Sequence, residues 1–95
     1  MTSDKWKIKL STKLGKSIIE LPEHVRVKIF ALLKALEEKG PIQYDWPNYS
    51  KLKDEDYHCH VKKGRPTYVV CWRVLDKKQK LIEVYYAGIH EKAPY

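Results

Sequence analysis

The sequence predicts an α+β domain: two N-terminal helices packed on a twisted antiparallel sheet, in the order strand, helix, helix, strand, strand, strand. Three observations predict it. Apolar residues alternate with lysines near the start, at residues 5–10. They recur at helical spacing across residues 12–39, and from residue 57 onward three strand-like patterns are separated by short polar turns. A chain of 95 residues is long enough for one core, so residues 1–95 read as a single domain.

In the first segment, Trp6, Ile8 and Leu10 alternate with Lys5, Lys7 and Lys9, the pattern of a strand covered on one side. Ser11 or Thr12 can cap a short helix running to about Glu20. Leu21-Pro22 interrupts the chain, and Pro22 and Glu23 suit the first turn of a second helix. Val25, Ile29, Leu32, Leu33 and Leu36 form its apolar stripe, and Gly40-Pro41 ends it. Residues 41–56 hold two prolines and no sustained period, so they read as irregular; Trp46 and Tyr49 are expected to cover one end of the core. Tyr57, Cys59 and Val61 then alternate with His58, His60 and Lys62. Residues 67–75 are nearly all apolar, as a central strand covered on both faces requires. In the last strand Ile82, Val84 and Tyr86 alternate with Glu83 and Tyr85. Trp72, Tyr85 and Tyr86 read as sheet residues, since aromatics favour strands.

Nineteen Lys and Arg against twelve Asp and Glu give a formal charge of +7, a field suited to polyanions or to an acidic protein partner. No apolar run is long enough to span a bilayer. Charges occupy the start of the chain where a secretion signal carries its apolar stretch, so a cytoplasmic location is expected. In that compartment Cys59 and Cys71 are expected to be reduced and buried.

His58 and His60 project from one face of their strand, together with Lys62, while Cys59 turns the other way. Two such imidazoles can begin a zinc site. A closed site needs two more ligands and a catalytic one at least one, and only His90 is available to join. The bland alternative is a pair of exposed histidines on a wet sheet face. Their company argues for more: Lys51 and Lys53 precede them, Arg65 lies in the next turn, Arg73 lies on the neighbouring strand, and His90 and Tyr95 follow the last strand. If that strand pairs with the central one, His90 emerges beside the start of the central strand. Imidazoles, fixed cations and an aromatic surface suit metal-free phosphodiester cleavage, and histidine titrates near pH ~6.5, so it can serve as base or acid.

Four stretches resemble the RelE/ParE superfamily of type II toxin–antitoxin systems, and its RelE-type ribonuclease branch more than its gyrase-directed one. They are Leu21-Pro22-Glu23-His24-Val25, Lys51-Leu52-Lys53 leading to Tyr57-His58-Cys59-His60-Val61-Lys62, the apolar strand of residues 68–74, and residues 85–95 with Gly88, His90 and Tyr95. The resemblance implies a toxin that enters the ribosomal A site and cuts the mRNA codon there without a metal or other cofactor, neutralised by an antitoxin protein. It implies no membrane partner and no small-molecule ligand. By position, it makes His58 or His60 the general base, His90 the general acid, Arg65 the phosphate neutraliser and Tyr95 the base-stacking group. Lys51, Lys53, Lys62 and Arg73 become RNA contacts. Where the family often opens its central strand with arginine this chain has Tyr68, and the nearest arginine, Arg65, sits in the turn. Two alternatives share the fold: a ParE-like inhibitor of DNA gyrase, and a nucleic-acid-binding module without chemistry.

Overall fold

The computed structural model describes residues 5–95; residues 1–4, the head of the segment read as lacking a secretion signal, lie outside it. The chain runs β1 (Lys7–Lys9), α1 (Thr12–Ile19), α2 (Glu23–Lys39), β2 (Ser50–Lys53), β3 (Asp56–Lys62), β4 (Tyr68–Asp76) and β5 (Leu81–Ile89), ending in a single 3-10 turn at His90–Lys92. The strands form one sheet in the order β1-β5-β4-β3-β2. The α+β class and the two-helix, then sheet, order are those the sequence predicts. Among the described residues, no helix is long and apolar enough to cross a membrane.

Local chemistry explains the boundaries. The Ser11 hydroxyl accepts the Leu14 N–H at 3.0 Å and opens α1. Pro22 precedes α2, whose first turn carries Glu23. Gly40 closes α2 at φ 87°, where a Cβ would also stand 2.7 Å from Trp6 Nε1, so backbone conformation and space both call for glycine. The Gln43 side-chain amide then donates to the carbonyls of Ala35 and Gly40, tying the chain beyond the helix back to its last turn.

Two features of the sheet go beyond the sequence pattern. β1 pairs in parallel with β5, while every other pair is antiparallel. Ser50–Lys53, inside the stretch read as irregular, is a strand at the sheet edge. Among its four residues only Leu52 is partly buried, so it has no apolar alternation to announce it.

The core lies between the helices and one sheet face. Ile18, Val25, Ile29, Leu32 and Leu36 meet Tyr57, Cys59, Val61, Val70, Trp72, Ile82 and Val84. Tyr49, Tyr57 and Trp72 stack with ring centroids 6.1–6.2 Å apart, and Trp72 Nε1 donates to the Pro41 carbonyl. The irregular stretch is thereby clamped to the core end, with Trp46 and Tyr49 packed against it as expected. β4 is central and its residues Val69, Val70, Cys71 and Trp72 are fully buried. Both cysteines are free and buried, and burial pushes each thiol up to about 12, which suppresses thiolate chemistry.

Candidate active site

The sheet face turned away from the helices carries the histidines. β3 places His58 opposite Cys71 and His60 opposite Val69, while Tyr57 and Cys59 face the core. The Pro47 carbonyl accepts the His60 N–H at 2.7 Å, holding the backbone of this segment beside the ordered loop. β5 aligns Gly88 with Val69 and Ile89 with Tyr68. The His90 N–H then donates to the Thr67 carbonyl at 2.8 Å, which sets His90 beside the entrance of the central strand, as the sequence reading required.

Four rings converge there. His60 and His90 have centroids 5.5 Å apart, His58 and His60 5.7 Å, His58 and Tyr95 4.6 Å, and His90 and Tyr95 5.9 Å. An open hollow of about 570 Å³ lies beside them, lined by His60, Arg65, Thr67, His90 and Glu91 among others. His58 is not part of its lining: only 9% exposed, it lies under Tyr95. Its Nδ1 is 3.1 Å from the Ser50 hydroxyl, because Ser50 pairs with it across the β2–β3 ladder.

Electrostatics follows from this crowding. Burial, then the neighbouring His60, holds His58 below the usual histidine range; a hydrogen bond from the ring to the Ser50 backbone offsets part of this, and His90 adds to the lowering. Burial, then His90 and Lys63, lowers His60. Both imidazoles are therefore predominantly neutral at pH 7, ready to accept a proton. Burial pushes the Tyr95 phenol up to about 12, so it stays protonated and acts as a ring.

The remaining cations are spread more widely than the sequence suggested. Arg65 enters the hollow with His60 and His90. Lys62 Nζ lies 3.4 Å from the Lys63 carbonyl at the adjoining hairpin. Lys53 pairs with Asp56 beyond a bulge, toward the far end of the histidine face. Lys51 aligns with core-facing Tyr57, so it turns to the opposite sheet face, where it pairs with Glu55 at 4.0 Å. Arg73 is engaged at the far end as well: its guanidinium stacks over Tyr85 at 4.0 Å, and Nε lies 3.5 Å from Glu83 and 3.9 Å from Asp56. Two residues of the site escaped sequence reasoning. Glu91 follows His90 directly and lines the same hollow, and Ser50 could have been found only through the register of the unpredicted strand. Among the described residues, no group of three or more His, Cys, Asp or Glu side chains is arranged to hold a metal ion.

No family model matches the sequence, and no curated protein matches it. Solved structures do. A chain of the archaeal RelE–RelB complex from Pyrococcus horikoshii OT3 aligns with a TM-score of 0.70 over 94% of this chain and 99% of its own, at 15% identity. The isolated RelE toxin of E. coli aligns at 0.66 over 94% and 88%, with 17% identity. The YoeB dimer of Staphylococcus aureus aligns at 0.67 over 90% and 98%, with 16% identity. The chain thus has the fold of the RelE-type toxins, over nearly its whole length. Within that class, archaeal and bacterial RelE and staphylococcal YoeB are all structural neighbours, and at such identities the likeness establishes the fold alone.

Proposed function

We propose that this chain is a RelE-type toxin that cuts mRNA in the ribosomal A site without a metal and is neutralised by an antitoxin. One observation carries the reading: His60, His90 and Arg65 meet at one hollow, with His58 and Tyr95 packed against them. The RelE-type fold and the superfamily resemblance of the motifs support it from a separate side.

In this reading His58 or His60 removes the proton from a ribose 2′-OH. The 2′ oxygen bonds to the adjacent phosphorus, the bond from phosphorus to the 5′ oxygen breaks, and His90 supplies the proton that oxygen needs. The products are a 2′,3′-cyclic phosphate and a free 5′-hydroxyl. Arg65 neutralises the pentavalent phosphate, and Tyr95 stacks on a splayed base. Lys53, on the same face, contacts RNA, and Lys62 contacts it from the adjoining hairpin beyond the bulge in β3; Arg73 reaches it only by leaving its carboxylate partners. Lys51 contacts RNA from the opposite sheet face.

A charge of +7 favours encounter with an acidic antitoxin segment that folds on binding, and the neighbouring RelE–RelB complex is a precedent for such a pair. The chain acts in the cytoplasm, where translating ribosomes are found. Expression without antitoxin should stop growth and leave cuts in ribosome-bound messages, and His90→Ala should relieve the arrest. Normal growth with intact messages rejects the reading, while DNA damage without message cleavage redirects it to gyrase inhibition.

A further inference from the structure

The two histidines of β3 are chemically alike and lie two residues apart, yet their surroundings differ. His60 opens onto the hollow, across from His90 and beside Arg65. His58 is shut away: its Nδ1 meets the Ser50 hydroxyl at 3.1 Å, and the tilted Tyr95 ring covers it at 4.6 Å. Ser50 itself is exposed on the edge strand; its backbone also meets the His58 ring, and among the described residues its hydroxyl is the one side-chain hydrogen-bond partner of that ring.

We propose that Ser50 and His58 form an anchored platform that seats Tyr95 beside the hollow, leaving His60 and His90 as the proton-transfer pair. This rests on the ribonuclease reading above and divides its labour. A group that takes a proton from a 2′-OH must come within hydrogen-bonding reach of it. His60, on the wall of the hollow, meets that requirement with Tyr95 in place. His58 would meet it only if the ring that stacks the substrate base first moved away. Ser50 and His58 are therefore positioning residues. The Ser50 hydroxyl holds the imidazole plane, the plane holds the tail, and the tail presents Tyr95. The anchoring serves substrate binding, because an aromatic ring already seated loses less freedom when a base stacks on it.

The two histidines then respond oppositely to one replacement. Phenylalanine keeps a flat ring and cannot carry a proton. In a reconstituted translating-ribosome cleavage assay, His58→Phe should raise KM as loss of the Ser50 bond does while keeping kcat within about three-fold of wild type, whereas His60→Phe should lower kcat by about 10²-fold or more, the scale of a lost general base. Ser50→Ala should raise KM about three- to ten-fold, the scale of one hydrogen bond, with the acidic limb of the pH–kcat profile unmoved. Ser50→Thr should restore KM. The groups facing His60 are His58, His90, Lys63, Arg65 and Glu91. The acidic limb should therefore move when Lys63 is replaced, and not when Ser50 is. A loss of kcat in His58→Phe as large as that in His60→Phe overturns the division.

A second measurement needs no cleavage. In NMR spectra of the full chain, cross-relaxation between the Tyr95 and His58 rings should be strong in wild type and His60→Phe, and lost in Ser50→Ala. Its survival in Ser50→Ala overturns the platform. If wild type shows the ring contact but cuts no message, the ribonuclease reading has failed and the proton-transfer assignment falls with it. This spectrum also decides the anchoring if His58→Phe does not fold.

Discussion

Replacing Gly88 by alanine tests how β5 delivers the tail to the site. A Cβ at this position would stand 2.9 Å from the Tyr86 hydroxyl oxygen and 3.2 Å from Cζ of the same ring. That hydroxyl donates to the Ile89 carbonyl at 2.6 Å, so the ring cannot swing aside without giving up the bond. The lost bond costs about 1 kcal/mol. Displacing the half-buried ring adds about 1–2 kcal/mol of overpacking. Alanine recovers about 0.4–1 kcal/mol by restricting the unfolded chain. The net is a destabilisation of about 1–2.5 kcal/mol, which lowers Tm by roughly 4–20 °C in a domain of this size. Urea and thermal unfolding of wild type, Gly88→Ala, Tyr86→Phe and the double variant form the assay. Phenylalanine removes the nearest obstacle, so Gly88→Ala should cost about 1 kcal/mol less in the Tyr86→Phe background. Strictly additive costs would refute the contact as the reason for glycine.

Other outcomes follow from the same geometry. His58 and His60 are held below their unfolded values, so as pH falls through about 6.5 the unfolded chain takes up protons that the native chain refuses. Their contribution to stability is fully present above that value and is lost below it, toward the lowered native values; denaturant midpoints at pH 7.5 and 5.5 should show the decline, and substituting both histidines by glutamine should flatten it. Arg65→Ala should lower cleavage by about 10²-fold, as expected for a lost transition-state contact, and leave the denaturant midpoint unchanged because the side chain is exposed. Trp72→Ala should cost about 3–5 kcal/mol and leave little folded protein, because the indole is fully buried, stacked, and bonded to the Pro41 carbonyl.

How legible this was in the sequence varied with the range of the interaction. Both helices announced themselves through local signals: Ser11, Pro22 and Gly40 at the ends, and the stripe from Val25 to Leu36 between them. β3 and β5 were readable by alternation and β4 by its unbroken apolar run. β2 was not, since an edge strand of Ser, Lys, Leu and Lys buries almost nothing and is held by pairing to residues farther along the chain. The site shows the same division. Alternation put His58 and His60 on one face, and strand pairing brought His90 to them. It could not reveal that Tyr95 and Ser50 enclose one imidazole and leave its neighbour open, because those contacts depend on the tail and on the unseen strand. Lys51 shows the cost of missing that strand: without its register, nothing in Lys51-Leu52-Lys53 says which lysine turns to the opposite face.

Metal-free cleavage of ribosome-bound mRNA leaves its signature in the chemistry of the cut ends. Purified chain added to translating ribosomes should yield A-site fragments ending in a 2′,3′-cyclic phosphate, with a 5′-hydroxyl on the downstream piece and none formed by His90→Ala. Messages left whole, or fragments carrying a 5′-phosphate, would contradict it.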